Sequence, residues 1–164
     1  MRTQPLFLSI LILLALTVSI ADSSQRSIAV REKSGRVMKL LLQGEYRAFI
    51  IGIDRYGGDR WSDLTTAVHD AKEVKKVLLE QYGFPEGNII TLLNEEATMR
   101  GIKEEFRRLK DRVKPEDSLL IYYAGHGHLD DFGGYWIPAD ARSEADYIDN
   151  AVIRNYIRAI DCRH

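Results

Sequence analysis

His126 stands between two glycines, Gly125 and Gly127, where an uninterrupted apolar run stops. An imidazole with an ordinary pKa near ~6.5 can take or give a proton at neutral pH, so His126 is a candidate general base or acid. Glycines on both sides let the main chain of Gly125 and Gly127 approach a substrate, and an exposed N–H there can stabilise a developing oxyanion. The competing reading is a loop histidine whose glycines merely turn the chain.

The run before it, residues 119–123, is apolar or aromatic without alternation, which predicts a strand buried on both faces of a parallel sheet. In open α/β sheets ligands sit beyond the carboxyl ends of the strands, which is where residues 125–128 fall. Residues 47–54 form a second such run. Leu64, Ala67, Val68, Ala71, Val74 and Leu78 then recur at threes and fours, predicting a helix that Gly83 ends. Pro85 and Gly87 make a turn into a short strand over residues 89–93. Thr98 is a candidate N-cap for a second helix carrying Met99, Ile102, Phe106, Leu109 and Val113, closed by Pro115, with a solvated charged face. Strand, helix, strand, helix, strand is the order of an α/β fold with a mainly parallel sheet flanked by helices. After a turn over 130–134, an extended piece over 135–137 and a loop, Val152, Ile153, Tyr156, Ile157 and Ile160 mark a third helix. The pattern calls for a further strand, so the sheet is expected to be incomplete at the C-terminus.

With 164 residues, 45% hydrophobic and 29% charged, the chain has room for one packed domain. A net charge of −1 with both signs interspersed gives no footprint for nucleic acid or an anionic membrane surface. Arg2, the apolar run over residues 6–20 and the small residues Ser19 and Ala21 read as a signal peptide over 1–21, the run being shorter than the ~20 residues a spanning helix needs. Export to the periplasm or medium follows, with no membrane association after cleavage. Residues 22–36 read as a polar linker, and the domain is expected over 37–164. Cys162, the single cysteine, cannot form an internal disulfide.

Several blocks carry a resemblance: Phe49-Ile-Ile-Gly-Ile-Asp-Arg-Tyr56, Ala67-Val-His-Asp-Ala71, Tyr82-Gly-Phe84, Asp117-Ser-Leu-Leu-Ile-Tyr-Tyr-Ala-Gly-His-Gly127 and Gly134-Tyr-Trp-Ile-Pro-Ala-Asp140. From about Tyr46 onward the chain resembles the large-subunit region of the caspase and metacaspase family of cysteine peptidases, in its bacterial form. The resemblance implies a caspase-like fold and cleavage of a protein or peptide substrate by a Cys/His dyad. It places the histidine at His126 and an oxyanion N–H at Gly127. The family's cysteine follows its histidine by about 50 residues, so the nucleophile is expected near position ~176, beyond residue 164. On this reading Cys162 is a bystander and the 164-residue chain, alone, holds half a dyad and is inactive.

The resemblance also implies that Asp70 contributes to the pocket for the side chain before the scissile bond. True caspases place an arginine six residues earlier, where this chain has Leu64, so Arg or Lys is the expected preference. Some metacaspases need calcium, for which Asp130, Asp131, Asp140 and Asp146 offer oxygens without the ordered spacing of a calcium loop, and no metal or cofactor is expected. Two other readings remain. One is a catalytically inactive scaffold or peptide-binding module. The other is a metal-dependent hydrolase using His126, His128 and Asp130, which is similar to an H-x-H-x-D-H zinc motif but has Asp131 where the last histidine belongs. A nucleotide-binding domain is disfavoured because residues 52–57 are no G-x-G-x-x-G turn.

Overall fold

The computed structural model describes residues 28–31, 37–40 and 44–162; the expected signal peptide lies outside them. The chain divides into two units, Met1–Leu42 and Gln43–His164. In the first, strand β1 (Ile28–Arg31) pairs antiparallel with β2 (Val37–Leu40), Ile28 opposite Leu40 and Arg31 opposite Val37. Four residues of the polar linker form a strand with the segment read as the start of the domain, and the larger unit begins at Gln43. Ile28-Ala-Val-Arg31 is short and set among polar residues, too brief for periodicity to single out.

The larger unit is built on strand β3 (Tyr46–Gly52), which is flanked in parallel by β4 (Ile89–Leu93) and β5 (Ser118–Ala124), in the order β4-β3-β5. Ala48 lies opposite Ile89 and Leu120, and Gly52 opposite Leu93 and Ala124. Helix α1 (Ala67–Glu80) connects β3 to β4, and α2 (Met99–Arg112) connects β4 to β5. Successive side chains of a strand point to opposite faces, and the core divides accordingly. Ala48, Ile50, Leu120 and Tyr122 pack with Ala71, Val74 and Leu78 of α1. Phe49, Ile51, Leu119, Ile121 and Tyr123 pack with Ile102, Phe106 and Leu109 of α2 and with Ile153 and Tyr156 of a third helix, α3 (Asn150–Ala159). Phe106 anchors that second layer, edge-on to Phe49 at 5.4 Å and stacked on Tyr156 at 5.2 Å. The result is a helix–sheet–helix sandwich in which β3 is buried on both faces.

Thr98 caps α2 as expected, its side-chain oxygen accepting the Gly101 N–H at 3.0 Å. The expectation for β5 needs correction. All seven of its residues are only partly buried, because β3 is its single neighbour among the described residues and its other edge is open. An edge strand can be apolar on both faces and still be reached by solvent from the side.

Three short strands make a second sheet: β6 (Gly127–Asp130), β7 (Gly133–Trp136) and β8 (Ile148–Asp149), antiparallel in the order β6-β7-β8. The β6–β7 turn is held by Asp130, whose carboxylate accepts the N–H groups of Phe132 (2.8 Å) and Gly133 (3.0 Å).

Candidate active site

β5 ends at Ala124, whose carbonyl accepts the Ile53 N–H at 2.9 Å, and β6 begins at Gly127. His126 therefore sits in the step between the two sheets, at the carboxyl edge of the parallel one. Facing it is the segment joining β3 to α1. That segment is tied down at several points. The Asp54 and Arg55 N–H groups donate to Asn94 Oδ1, Tyr56 N–H to Asp63 Oδ1, Leu64 N–H to the Asp54 carbonyl, and Gly57 N–H to the Ala139 carbonyl. A Cβ on Gly58 would lie 3.1 Å from the Ala141 carbonyl, so the segment needs glycine to lie this close to residues 139–141.

The His126 ring is in contact with two aromatic rings of that segment, Tyr56 and Trp61, each tilted to it with its centroid 4.9 Å away. Its Nε2 is 2.8 Å from the Ser62 carbonyl oxygen. A carbonyl can only accept, so Nε2 carries the proton, and in the neutral imidazole the lone pair is on Nδ1. Trp61 is held in turn by its Nε1–H, which donates to the Tyr147 hydroxyl at 3.2 Å.

The main chain at His126 is held as closely as the ring. Its N–H donates to the Tyr56 hydroxyl at 2.7 Å. Its carbonyl accepts from the Tyr123 hydroxyl at 2.7 Å and from the Ile137 N–H at 3.1 Å. The Tyr123 oxygen also lies 3.0 Å from the Ile137 carbonyl and 3.2 Å from the Ile137 N–H. A phenol has one proton, and the shorter contact makes the His126 carbonyl its acceptor. Burial pushes the Tyr123 hydroxyl far above its ordinary pKa and raises Tyr56 as well, so both stay protonated donors. A Cβ on Gly125 would come within 2.8 Å of the Tyr123 hydroxyl and 2.9 Å of the Tyr56 hydroxyl, so the glycine before the histidine makes room for this pair.

The ladder decides where the Gly127 amide points. Residues 126 and 137 are joined by one bond of the ladder, Ile137 N–H to the His126 carbonyl, and bonded and non-bonded positions alternate along antiparallel strands. Gly127 and Trp136, the next pair, are therefore non-bonded, and the Gly127 N–H is directed away from β7. Among the described residues β6 is an edge strand, so that N–H faces the open side.

Other residues singled out from the sequence lie elsewhere. Asp70 is exposed in the first turn of α1. His128 faces Trp61, Tyr135 and Tyr147 (6.2, 6.1 and 5.7 Å between centroids), and Asp130 serves the β6–β7 turn. Asp140 accepts the Met99 N–H at the start of α2, and Asp146 accepts the N–H groups of Arg142 and Ser143 in a separate turn. Among the described residues no three His, Cys, Asp or Glu side chains converge on a position that could hold a metal ion. Cys162 follows α3 and packs against the core layer of Phe49 and Phe106. Sequence reasoning missed Tyr56, Trp61, the Ser62 carbonyl and Tyr123. Aromatic residues inside an otherwise polar, glycine-rich segment were the available signal for the first two.

The family model of the caspase domain matches residues 45–164. Metacaspase-3 of Arabidopsis thaliana is 31% identical over 132 residues, 71% of this chain and 36% of its own. Metacaspase-2 of the same plant is 28% identical over 134 residues, 73% of this chain and 32% of its own, and a Metacaspase-1 of Cryptococcus neoformans is 32% identical over 90 residues, 51% and 19%. The chain thus spans about a third or less of these relatives' length. In fold it is similar to the crystal structure of protein GSU0716 from Geobacter sulfurreducens, with a TM-score of 0.59 at 16% identity over 73% of this chain and 47% of that one. A caspase-domain match running from the start of the parallel sheet through α3 establishes that the chain belongs to the caspase-domain peptidase family, with metacaspases among its relatives.

Proposed function

We propose that the larger unit is the histidine-bearing part of a cysteine-type endopeptidase, with His126 as general base and the Gly127 N–H in the oxyanion hole. The observation that carries this reading is the contact between His126 Nε2 and the Ser62 carbonyl, which leaves Nδ1 as the basic atom on a ring gripped by Tyr56 and Trp61. Nδ1 takes the proton of a thiol, and the thiolate adds to a peptide carbonyl carbon. The carbonyl π pair moves onto oxygen, where the outward N–H of Gly127 meets it. The imidazolium then returns its proton to the departing amine, and water releases the acyl group by the same route. The Ser62 carbonyl keeps the proton on Nε2 and the lone pair on Nδ1.

The thiol in this proposal is not Cys162, which packs beside α3, but a cysteine about 50 residues after the histidine, beyond residue 164. Asp70, exposed at the start of α1, is assigned to a basic side chain before the scissile bond. Export through the N-terminal segment completes the proposal.

The test uses the full-length gene product and peptides carrying Arg, Lys or Asp before the cleaved bond. His126→Ala should abolish cleavage and Cys162→Ser should leave it intact, while iodoacetamide inactivates both the wild type and Cys162→Ser. Cleavage that survives His126→Ala, or that is lost in a folded Cys162→Ser variant, overturns the assignment of the dyad.

A further inference from the structure

We infer that Tyr123 is a positioning residue for the oxyanion hole, aiming the Gly127 N–H through the single peptide unit that joins His126 to Gly127. The inference rests on the roles proposed above for those two residues. A trans peptide unit is planar, so its C=O and N–H point in opposite directions. The C=O of this unit is held on the inner side by the Tyr123 hydroxyl at 2.7 Å and the Ile137 N–H at 3.1 Å. The direction imposed on the carbonyl is imposed in reverse on the Gly127 N–H.

Gly127 does little to orient itself. A Cβ there would meet nothing closer than the Tyr135 carbonyl at 3.5 Å, and its φ is not among the positive values of the chain, so neither crowding nor an unusual backbone angle sets this peptide plane. Tyr123 is well placed to do so. It belongs to β5, its ring stacks on Trp136 at 4.5 Å and 13°, and Gly125 leaves its hydroxyl the room it needs. The hydroxyl has a second effect. Donating a hydrogen bond to the carbonyl of an amide polarises the amide and makes its N–H a stronger donor. Both effects are felt when the substrate oxygen becomes negative, and neither changes the base that makes the thiolate.

That separation defines the experiment, made with the active full-length protein. In Tyr123→Phe, kcat should fall about 10- to 100-fold, part of what loss of a whole oxyanion donor costs, with KM unchanged. A peptide aldehyde, whose thiohemiacetal oxygen occupies the same position, should bind more weakly by the same factor. The rate at which iodoacetamide alkylates the active-site thiol should not change, because it depends on His126 and not on the oxyanion hole. Replacing Tyr123 with 3-fluorotyrosine, which keeps the ring and the hydroxyl but makes it a stronger donor, should tighten aldehyde binding without changing the alkylation rate, and serves if Tyr123→Phe does not fold. Unchanged aldehyde affinity in a folded variant overturns the inference. So does an alkylation rate that falls with it, because the effect would then lie in the dyad. Active His126→Ala would instead remove the proposed function on which the inference stands.

Discussion

Arg47, the second residue of β3, meets Asp117, the residue just before β5, with Nε 2.7 Å from Oδ2 and the Asp117 side chain only 1% exposed. The same carboxylate accepts the N–H groups of Glu45 (2.8 Å) and Lys114 (3.1 Å), so it ties the entry of β3 to the turn after α2. Burial pushes the Asp117 carboxyl up, but the Glu45 N–H, the Arg47 guanidinium and the Lys114 N–H together hold it below its ordinary value. A carboxyl whose folded pKa is depressed contributes stability above its unfolded pKa of about 4, and that contribution is lost as pH falls through the folded value. Asp117→Asn should therefore cost about 3 kcal/mol at pH 7, the lower end for breaking a buried pair. It should also flatten the fall of Tm below about pH 4. Thermal unfolding of both proteins from pH 2 to 7 checks this, and identical acid dependence would refute it.

Helix α1 is capped from a distance. The residue at its N-cap position, Thr66, makes no side-chain capping bond, whereas Asp54 Oδ1 accepts the N–H groups of Ala67 (2.8 Å) and Val68 (3.3 Å). Asp54→Ala should lower stability by about 1 kcal/mol, the usual cost of losing a cap, and Thr66→Ala should stay within about 0.5 kcal/mol of wild type. Denaturant melts of the two variants decide between near and distant capping.

The contrast marks what could be read from the sequence. β3, β4 and β5 were legible as short uninterrupted apolar runs, and the three helices because apolar residues recur at threes and fours, from Ala71, Val74 and Leu78 to Ile153, Tyr156 and Ile160. His126 was legible because glycines bracket it at the end of an apolar run. The partners that set its tautomer and tilt were not, since Tyr56, Trp61 and Ser62 lie in a segment without periodicity, held by long-range bonds such as Asp54 to Asn94. β6 and β8 were missed because a four-residue strand containing Gly127 and a two-residue strand carry too little alternation to register. The edge position of β5 depends on which strands pair, and strand composition does not encode that.

Gly52 shows how tightly α1 is seated on β3. A Cβ at this position would lie 2.7 Å from the Ala71 Cβ, 2.9 Å from the Ala67 carbonyl and 3.2 Å from the Val68 Cα. Two of the three atoms are backbone, so relief requires the helix to move. Gly52→Ala should cost about 1–3 kcal/mol through overpacking, outweighing what alanine gains over glycine in a strand. Because Asp54 follows two residues later and holds the N-terminus of α1, the shift should reach the segment facing His126, lowering the proposed peptidase activity as well as Tm. A variant as stable as wild type would mean that the helix seat yields without cost.

Trp61 offers a change that separates activity from stability. It is half-buried, its ring lies against the His126 ring, and its segment is anchored independently by Asp54, Asp63 and Gly57. Removing the indole should therefore leave the segment in place but free the imidazole to tilt away from the Ser62 carbonyl. We expect Trp61→Ala to lower kcat by about 10- to 100-fold, within the range that misplacing a general base costs, while stability falls by only about 1–2 kcal/mol. Trp61→Phe keeps a ring against His126 and loses only the hydrogen bond to Tyr147, so it should recover most of the activity. If both variants lose activity equally, the indole N–H and its bond to Tyr147 hold the site. If neither loses any, the Ser62 carbonyl and Tyr56 suffice to hold the ring.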